Sequence, residues 1–154
     1  MEKYDSTIDT IEHIANFRTM IDNIIQELAF RHRDHDSSKL IEPEKNIFDE
    51  FTPKLANTTY GSDEYKEHLK GMGKALSHHY SVNRHHPEHF ENGINDMDLV
   101  DIVEMLCDWK AASMRHNDGD VLKSIEINQE RFGYSDELKN ILINTLKYFK
   151  SKGD

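Results

Sequence analysis

Apolar residues recur along most of this chain at the three- and four-residue spacing of an α-helix. The longest stripe lies between Ser6 and about Arg31 and consists of Ile11, Ile14, Phe17, Ile21, Ile24 and Leu28. Shorter stripes predict further helices over residues 43–56, 62–80, 96–115, 122–132 and 135–150, with a short helix between Asp34 and Pro43. No stretch alternates strongly between apolar and polar residues, as a half-buried strand would. The pattern predicts an all-α fold, a helical bundle of about six to seven helices.

Helix boundaries are indicated by capping residues. Ser62, Asp96 and Ser135 each precede a stripe and can accept hydrogen bonds from the first free backbone N–H groups of a helix. Gly133 follows the stripe that ends at Phe132 and is typical of a C-terminal cap. The stripe from Ser62 to Tyr80 predicts one helix, although the glycines at 71 and 73 weaken it.

The length of 154 residues suits a single domain, which we expect to span residues 1–154 with its core in residues 6–131. Nineteen basic and twenty-nine acidic residues give a net charge of −10, which disfavours nucleic acid and anionic membranes as partners. The single cysteine, Cys107, excludes an internal disulfide, and no signal peptide or membrane-spanning run is visible. We therefore expect a cytoplasmic protein. A homodimer is left open.

Histidine is the unusual feature of the composition. The chain has ten histidines, and five of them lie within twelve residues, at His78, His79, His85, His86 and His89. His13 shares a helical row with Phe17, Met20 and Ile24, which predicts that its imidazole points inward or along the edge of the core. A histidine in such a place is either a hydrogen-bonded core residue or a metal ligand, and both interpretations stay open.

A second candidate for metal chemistry is the pair His35-Asp36, followed three residues later by Lys39. Both members of the pair are good ligands for first-row metals, and the lysine adds a positive charge one turn away. Such a pair also arises by chance in a chain with 31% charged residues. On a later helix, Glu104 and Asp108 are four residues apart, so they repel each other unless a cation lies between them.

An all-helical domain can bring these residues to one point, because each comes from a different helix or helix end. Imidazoles and carboxylates together suit manganese, iron, cobalt, nickel or zinc, as one ion or as two ions about 3.5–4 Å apart. The predicted metal ligands are His13, His35, Asp36, His79, His85, His86 and Asp108.

His35-Asp36-Ser37-Ser38-Lys39, taken with His13 and Asp108, resembles the signature of the HD-domain superfamily of metal-dependent phosphohydrolases. The chain also resembles a small family of phage and bacterial proteins of unknown function, over residues 10–131. The second resemblance rests on His35-Asp36 with Lys39, His79 with Asn83 and His85-His86, and Glu104-Met105 with Asp108-Trp109. One departure is visible: the superfamily often has an apolar residue and a glycine after the His-Asp pair, where this chain has two serines.

The resemblance implies a bundle of the HD-domain type, with His13, His35, Asp36 and Asp108 as the main ligands and the later histidines holding a second metal. It implies hydrolysis of a nucleotide or related phosphate ester by a metal-activated water. Lys39 would then neutralise phosphoryl charge, and Glu104 would act as a base or orient a ligand. The predicted substrate-binding residues are Asn83, Arg84, Lys110 and Arg115. The alternative is a non-catalytic phage protein that binds a nucleotide or a partner and has a structural metal site.

Overall fold

The computed structural model describes residues 4–59, 62–115 and 119–149, and every regular element in these ranges is helical. Within them lie seven α-helices joined by turns and short 3-10 segments. The α-helices are α1 (Thr7–Asp34), α2 (Lys45–Ala56), α3 (Asp63–Gly71), α4 (Gly73–Val82), α5 (Leu99–Ser113), α6 (Val121–Phe132) and α7 (Asp136–Thr145). The prediction of an all-α fold with six to seven helices is confirmed.

The chain divides into two compact units, Met1–His35 and Asp36–Asp154. The first unit is built on α1, which has 28 residues and no buried side chain. His13 is exposed on this helix, whereas its position in the apolar stripe predicts that it points inward or along the edge of the core. The described residues of the first unit form no second helix against which the apolar stripe of α1 could be buried. Among the described residues, no helix is both long and apolar enough to cross a membrane.

In the second unit, α5, α6 and α7 share an apolar core. Its buried members are Leu106, Ile125, Tyr134 and Leu142, and the half-buried rings of Trp109 and Phe132 pack against them. The Tyr134 hydroxyl donates a hydrogen bond to the Ile125 carbonyl oxygen at 2.5 Å, so the one polar atom of this ring has a partner. These contacts fix α5, which also carries Glu104 and Asp108.

Most predicted helix boundaries agree with the structure. Ser62 and Ser135 cap α3 and α7 by accepting hydrogen bonds from backbone N–H groups three residues later. Gly133 ends α6 with a φ of 68°, a left-handed conformation that glycine adopts without strain. The prediction for α5 is wrong by two residues, because Asp98 rather than Asp96 is its cap. Asp98 and Asp101 form a reciprocal capping box, which satisfies two backbone donors at once.

Two predicted helices differ from the structure. The short helix between Asp34 and Pro43 is a 3-10 turn over Ser37–Leu40. The single helix predicted from Ser62 to Tyr80 is divided at Met72 into α3 and α4. A Cβ atom on Gly71 would lie 2.5 Å from the Phe51 ring, so glycine allows α2 and α3 to approach closely there. The division leaves α4 as a separate helix, whose buried side chains are Ala75 and His79, one turn apart.

Candidate metal centre

Four potential metal ligands converge in the second unit: Asp36, His79, His85 and His86. His79 lies in the last turns of α4, and Asn83 ends that helix. His85 and His86 follow in a tight turn before the 3-10 segment Pro87–His89. The turn folds the chain back, so three imidazoles that are close in sequence face a common point.

Asp36 reaches this point from a distant part of the sequence. Its backbone has a φ of 57°, which is the left-handed region, and it immediately precedes the 3-10 turn Ser37–Leu40. Aspartate tolerates this conformation better than most residues, although it still strains the backbone. Asp36 Oδ2 accepts a hydrogen bond from Lys39 Nζ at 2.5 Å. Lys39 thus holds one carboxylate oxygen while the other, Oδ1, faces the imidazoles.

The donor atoms have the spacing of ligands around one ion. His79 Nε2 lies 3.2 Å from Asp36 Oδ1 and 2.9 Å from His86 Nε2, and His85 Nε2 lies 3.6 Å from Asp36 Oδ1. Neighbouring ligands with bonds of about 2.1 Å to a shared metal are roughly 3.0–3.4 Å apart, so the three distances lie within about 0.2 Å of this range. The group is also enclosed, since His79 and His85 are each 1% exposed.

The imidazole of His86 is held in its neutral form. Burial, together with the neighbouring His85, His79 and Lys39, lowers the pKa of His86 to about 3, against the opposing effect of the Asp108 carboxylate. A neutral imidazole retains a lone pair for a metal. His86 is therefore available as a ligand throughout the physiological pH range.

Two carboxylates lie behind the imidazoles. Glu44, which precedes α2, is fully buried, and its Oε2 lies 3.0 Å from His79 Nδ1. Glu104 on α5 places Oε1 3.1 Å from His85 Nδ1. A carboxylate that accepts the proton of one ring nitrogen leaves the other nitrogen as a donor to metal, and this pairing is common around metal sites.

The structure groups several of the predicted ligands within the second unit. Asp36, His79, His85 and His86 form one group, and an Asp108 carboxylate oxygen lies within 4.8 Å of a His85 ring nitrogen. The other two predicted ligands, His13 and His35, belong to the first unit, with His35 directly before Asp36 in the chain.

The predicted catalytic and substrate-binding residues have varied surroundings. Glu104 Oε1 lies 3.1 Å from His85 Nδ1, which is the contact that the predicted orienting role would use. The guanidinium of Arg84 is held by the buried Asp101 through two hydrogen bonds of 3.0 and 2.8 Å and lies over the Phe90 ring, so it serves the structure of the turn. Lys110 is half-buried near the end of α5, and Arg115 is exposed just after it.

Asn83 and two other residues have roles that their sequence positions did not reveal. Asn83 Nδ2 lies 2.9 Å from both Ser38 Oγ and the His79 carbonyl oxygen, so Asn83 links Ser38 to the end of α4. These contacts favour a structural role for Asn83 over the predicted contact with substrate. Ser38 also donates to Glu44 Oε2 at 3.0 Å, which a glycine at that position could not do. Glu44 carries no sequence signal, because an acid at the start of a short helix is typical of an exposed position.

A model of one protein family matches residues 2–148, nearly the whole chain, and that family is described as a family of unknown function, DUF5662. The chain belongs to this family. No curated protein and no solved structure matches the chain.

Proposed function

We propose that this member of the family binds a divalent transition metal through Asp36, His79, His85 and His86, and that the centre hydrolyses a phosphate ester of a nucleotide or a related small molecule. The observation that carries the proposal is the convergence of three imidazole nitrogens and one carboxylate oxygen at the spacing of ligands around one ion. A mixed nitrogen and oxygen set suits manganese, iron, cobalt, nickel or zinc better than calcium or magnesium.

A metal bound there would supply a hydroxide nucleophile near neutral pH and would stabilise negative charge on a phosphoryl oxygen. The protein residues have separate tasks. Glu44 and Glu104 orient the rings of His79 and His85. Lys39 holds Asp36 and adds a positive charge beside it, which an anionic substrate needs in a chain with a net charge of −10. The resemblance to the HD-domain superfamily supplies the reaction class and adds Asp108 as a further ligand.

The first test is metal content. Protein purified without chelator and reconstituted with Mn²⁺, Co²⁺, Ni²⁺ or Zn²⁺ should retain close to one equivalent of at least one metal per chain. His79→Ala should abolish retention, because it removes a ligand from the middle of the group. His89→Ala is the matched control: His89 lies in the same histidine-rich segment, but its Nδ1 is bonded to the Tyr80 carbonyl oxygen at 2.9 Å. A wild-type protein that retains none of these metals contradicts the proposal.

The second test is turnover. Phosphate or nucleoside release from a panel of nucleotides and cyclic nucleotides, in the presence of Mn²⁺, Co²⁺, Ni²⁺ or Mg²⁺, should depend on metal and should disappear in His79→Ala but not in His89→Ala. Lys39→Ala should raise KM or lower kcat while metal is retained. Metal retention without turnover of any member of the panel contradicts the hydrolytic part of the proposal.

One observation favours a second candidate, a structural metal in a protein that binds a nucleotide or a partner without turnover. His79 and His85 are both almost fully buried, as the ligands of structural metal sites are. In that case chelation should lower the helicity and the melting temperature together, and nucleotides should bind tightly without being hydrolysed. For the catalytic centre, chelation should remove turnover and leave the helical content unchanged.

A further inference from the structure

Glu44 is a fully buried carboxylate that contacts two adjacent imidazoles. Its Oε1 lies 2.7 Å from His78 Nδ1, and its Oε2 lies 3.0 Å from His79 Nδ1. Oε2 also accepts the Ser38 hydroxyl at 3.0 Å. An ionised carboxylate has acceptors only, so both imidazoles must present an N–H group to it.

The consequence for His79 concerns its tautomer. A neutral imidazole carries one proton, and if this proton lies on Nδ1, then Nε2 has a free lone pair. His79 Nε2 is the atom that faces Asp36 Oδ1 and His86 Nε2. The opposite tautomer would place a proton on Nε2, where it would block a metal, and would turn the Nδ1 lone pair towards a carboxylate oxygen at 3.0 Å.

Asn83 offers a competing partner for the same nitrogen. Asn83 Nδ2 lies 2.9 Å from His79 Nδ1 and, if it donated there, would require Nδ1 without a proton. The two protons of this amide have other acceptors, Ser38 Oγ and the His79 carbonyl oxygen, each at 2.9 Å.

The Glu44 carboxylate accepts hydrogen bonds and so favours a proton on Nδ1 of His79. Asp36 Oδ1 faces the other nitrogen, Nε2, but it lies farther from the ring, at 3.2 Å against 3.0 Å, and the Asp36 carboxylate is already paired with Lys39. An unprotonated Nε2 can in turn accept a hydrogen bond from His86 Nε2 at 2.9 Å, so Glu44 tips the balance towards the Nδ1 tautomer.

We propose that Glu44 is a positioning residue that fixes the ring proton of His79 on Nδ1 and so keeps His79 Nε2 ready to bind metal. The consequence for metal binding rests on the proposed function above, whereas the position of the proton is a property of the metal-free protein. The two statements can therefore fail separately.

The direct test is the position of the ring proton in wild-type, metal-free protein. Long-range ¹H–¹⁵N correlation spectra of ¹⁵N-histidine-labelled protein at about pH 8, where a histidine of ordinary pKa is neutral, distinguish the two tautomers. The expected result is a protonated Nδ1 and an unprotonated Nε2 for both His78 and His79. A proton on His79 Nε2 overturns the proposal. This measurement needs no variant, so it holds even if a substitution at Glu44 prevents folding.

Two substitutions test the cause. Glu44→Gln keeps the shape but offers one acceptor and one donor group, so at least one of His78 and His79 should move its proton to Nε2. In Glu44→Gln, the orientation of the new amide decides which of the two imidazoles loses its acceptor. Glu44→Leu removes both acceptors and therefore tests His79 in either case. Glu42→Gln, two residues earlier and exposed, is the matched control and should change neither ring. If His79 keeps its Nδ1 proton in both Glu44 variants, Glu44 does not fix the tautomer.

Metal affinity tests the consequence. In any variant that moves the His79 proton to Nε2, affinity should fall about 10–100-fold, the range for loss of a residue that orients a ligand, while helicity is retained. In a variant that leaves the proton on Nδ1, affinity should not change. Unchanged affinity after the tautomer has switched contradicts the positioning role. A wild-type protein with the expected tautomer but without metal binding contradicts the proposed function and supports the assignment of the proton.

Discussion

The carboxylate of Glu104 lies 3.1 Å from His85 Nδ1, behind a ring whose other nitrogen lies 3.6 Å from Asp36 Oδ1. The helix α5 thus supports the candidate centre without supplying any of the four grouped ligands. Because α5 is also fixed by the apolar core of α5, α6 and α7, the orientation of His85 is tied to the packing of that core.

Replacement of Glu104 by glutamine should weaken metal binding about 10–100-fold, since the amide no longer enforces a proton on His85 Nδ1. Glu91→Gln, an exposed acid in the turn before α5, is the control and should bind metal as the wild type does. Isothermal titration with Zn²⁺ or Co²⁺ measures both. Equal affinities for the two variants would show that Glu104 does not orient His85.

Replacement of Leu142 by alanine should destabilise the protein by about 2–5 kcal/mol, because it leaves a cavity in a closed core. Leu142 is 1% exposed, whereas the adjacent Ile141 on α7 is 59% exposed. Ile141→Ala removes a similar volume and should change the free energy of unfolding by less than about 1 kcal/mol. Urea denaturation followed by circular dichroism gives both values, and similar losses for the two variants would contradict the assigned core.

The two glycines between α3 and α4 should respond oppositely to alanine. A Cβ atom at Gly71 meets the Phe51 ring at 2.5 Å, so Gly71→Ala should destabilise the protein by about 1–3 kcal/mol through overpacking. At Gly73 no atom lies within 4 Å of an added Cβ, and Gly73→Ala should be neutral or stabilise the helix by about 0.5–1 kcal/mol. Thermal melts should show a lower melting temperature for Gly71→Ala and an unchanged or higher one for Gly73→Ala.

The buried Tyr134 should make stability depend on pH in the alkaline range. Burial raises the pKa of Tyr134 to about 12 from its ordinary value of 10.0, so the folded state favours the neutral phenol. Its contribution is fully present below pH 10 and is lost as the pH rises from 10 to 12, where the unfolded chain ionises first.

The comparison with Tyr134→Phe isolates this effect from the titration of lysines. The variant lacks the hydrogen bond to Ile125 and should be less stable at pH 8, but its stability should fall less steeply between pH 10 and 12. Urea unfolding at pH 8, 10, 11 and 12 provides the comparison. Parallel curves for the two proteins would mean that Tyr134 ionises alike in the folded and unfolded states.

The sequence predicted the helices because each leaves a local signature. Apolar spacing and caps such as Ser62, Ser135 and Gly133 act within a few residues of the elements that they begin or end. The division at Met72 was missed, because an uninterrupted stripe hides a break that depends on how closely Phe51 approaches Gly71. Tertiary packing decided that boundary.

For the candidate centre, the sequence likewise indicated the residues that have a local signal and missed those that depend on tertiary packing. The density of histidines between His78 and His89 pointed to the segment that supplies three of the four grouped residues, and the His35-Asp36 pair pointed to Asp36. Glu44 could not be found, because its surroundings are Ser38, His78 and His79, of which the two histidines lie in a distant part of the chain, and no spacing connects these residues to it. The sequence predicts Arg84 as a substrate-binding residue, because its ion pair with Asp101, seventeen positions away, leaves no local signal.

Three of the four grouped ligands, His79, His85 and His86, lie within eight consecutive residues, and only Asp36 comes from a distant segment. The entropy lost in closing so short a loop is small, so even the denatured chain can chelate an ion through these imidazoles. A ligand that also binds the denatured chain stabilises the native state by less than its affinity for the native state alone suggests. Among the four grouped ligands, Asp36 is thus the one through which a metal would distinguish the native chain from the denatured one.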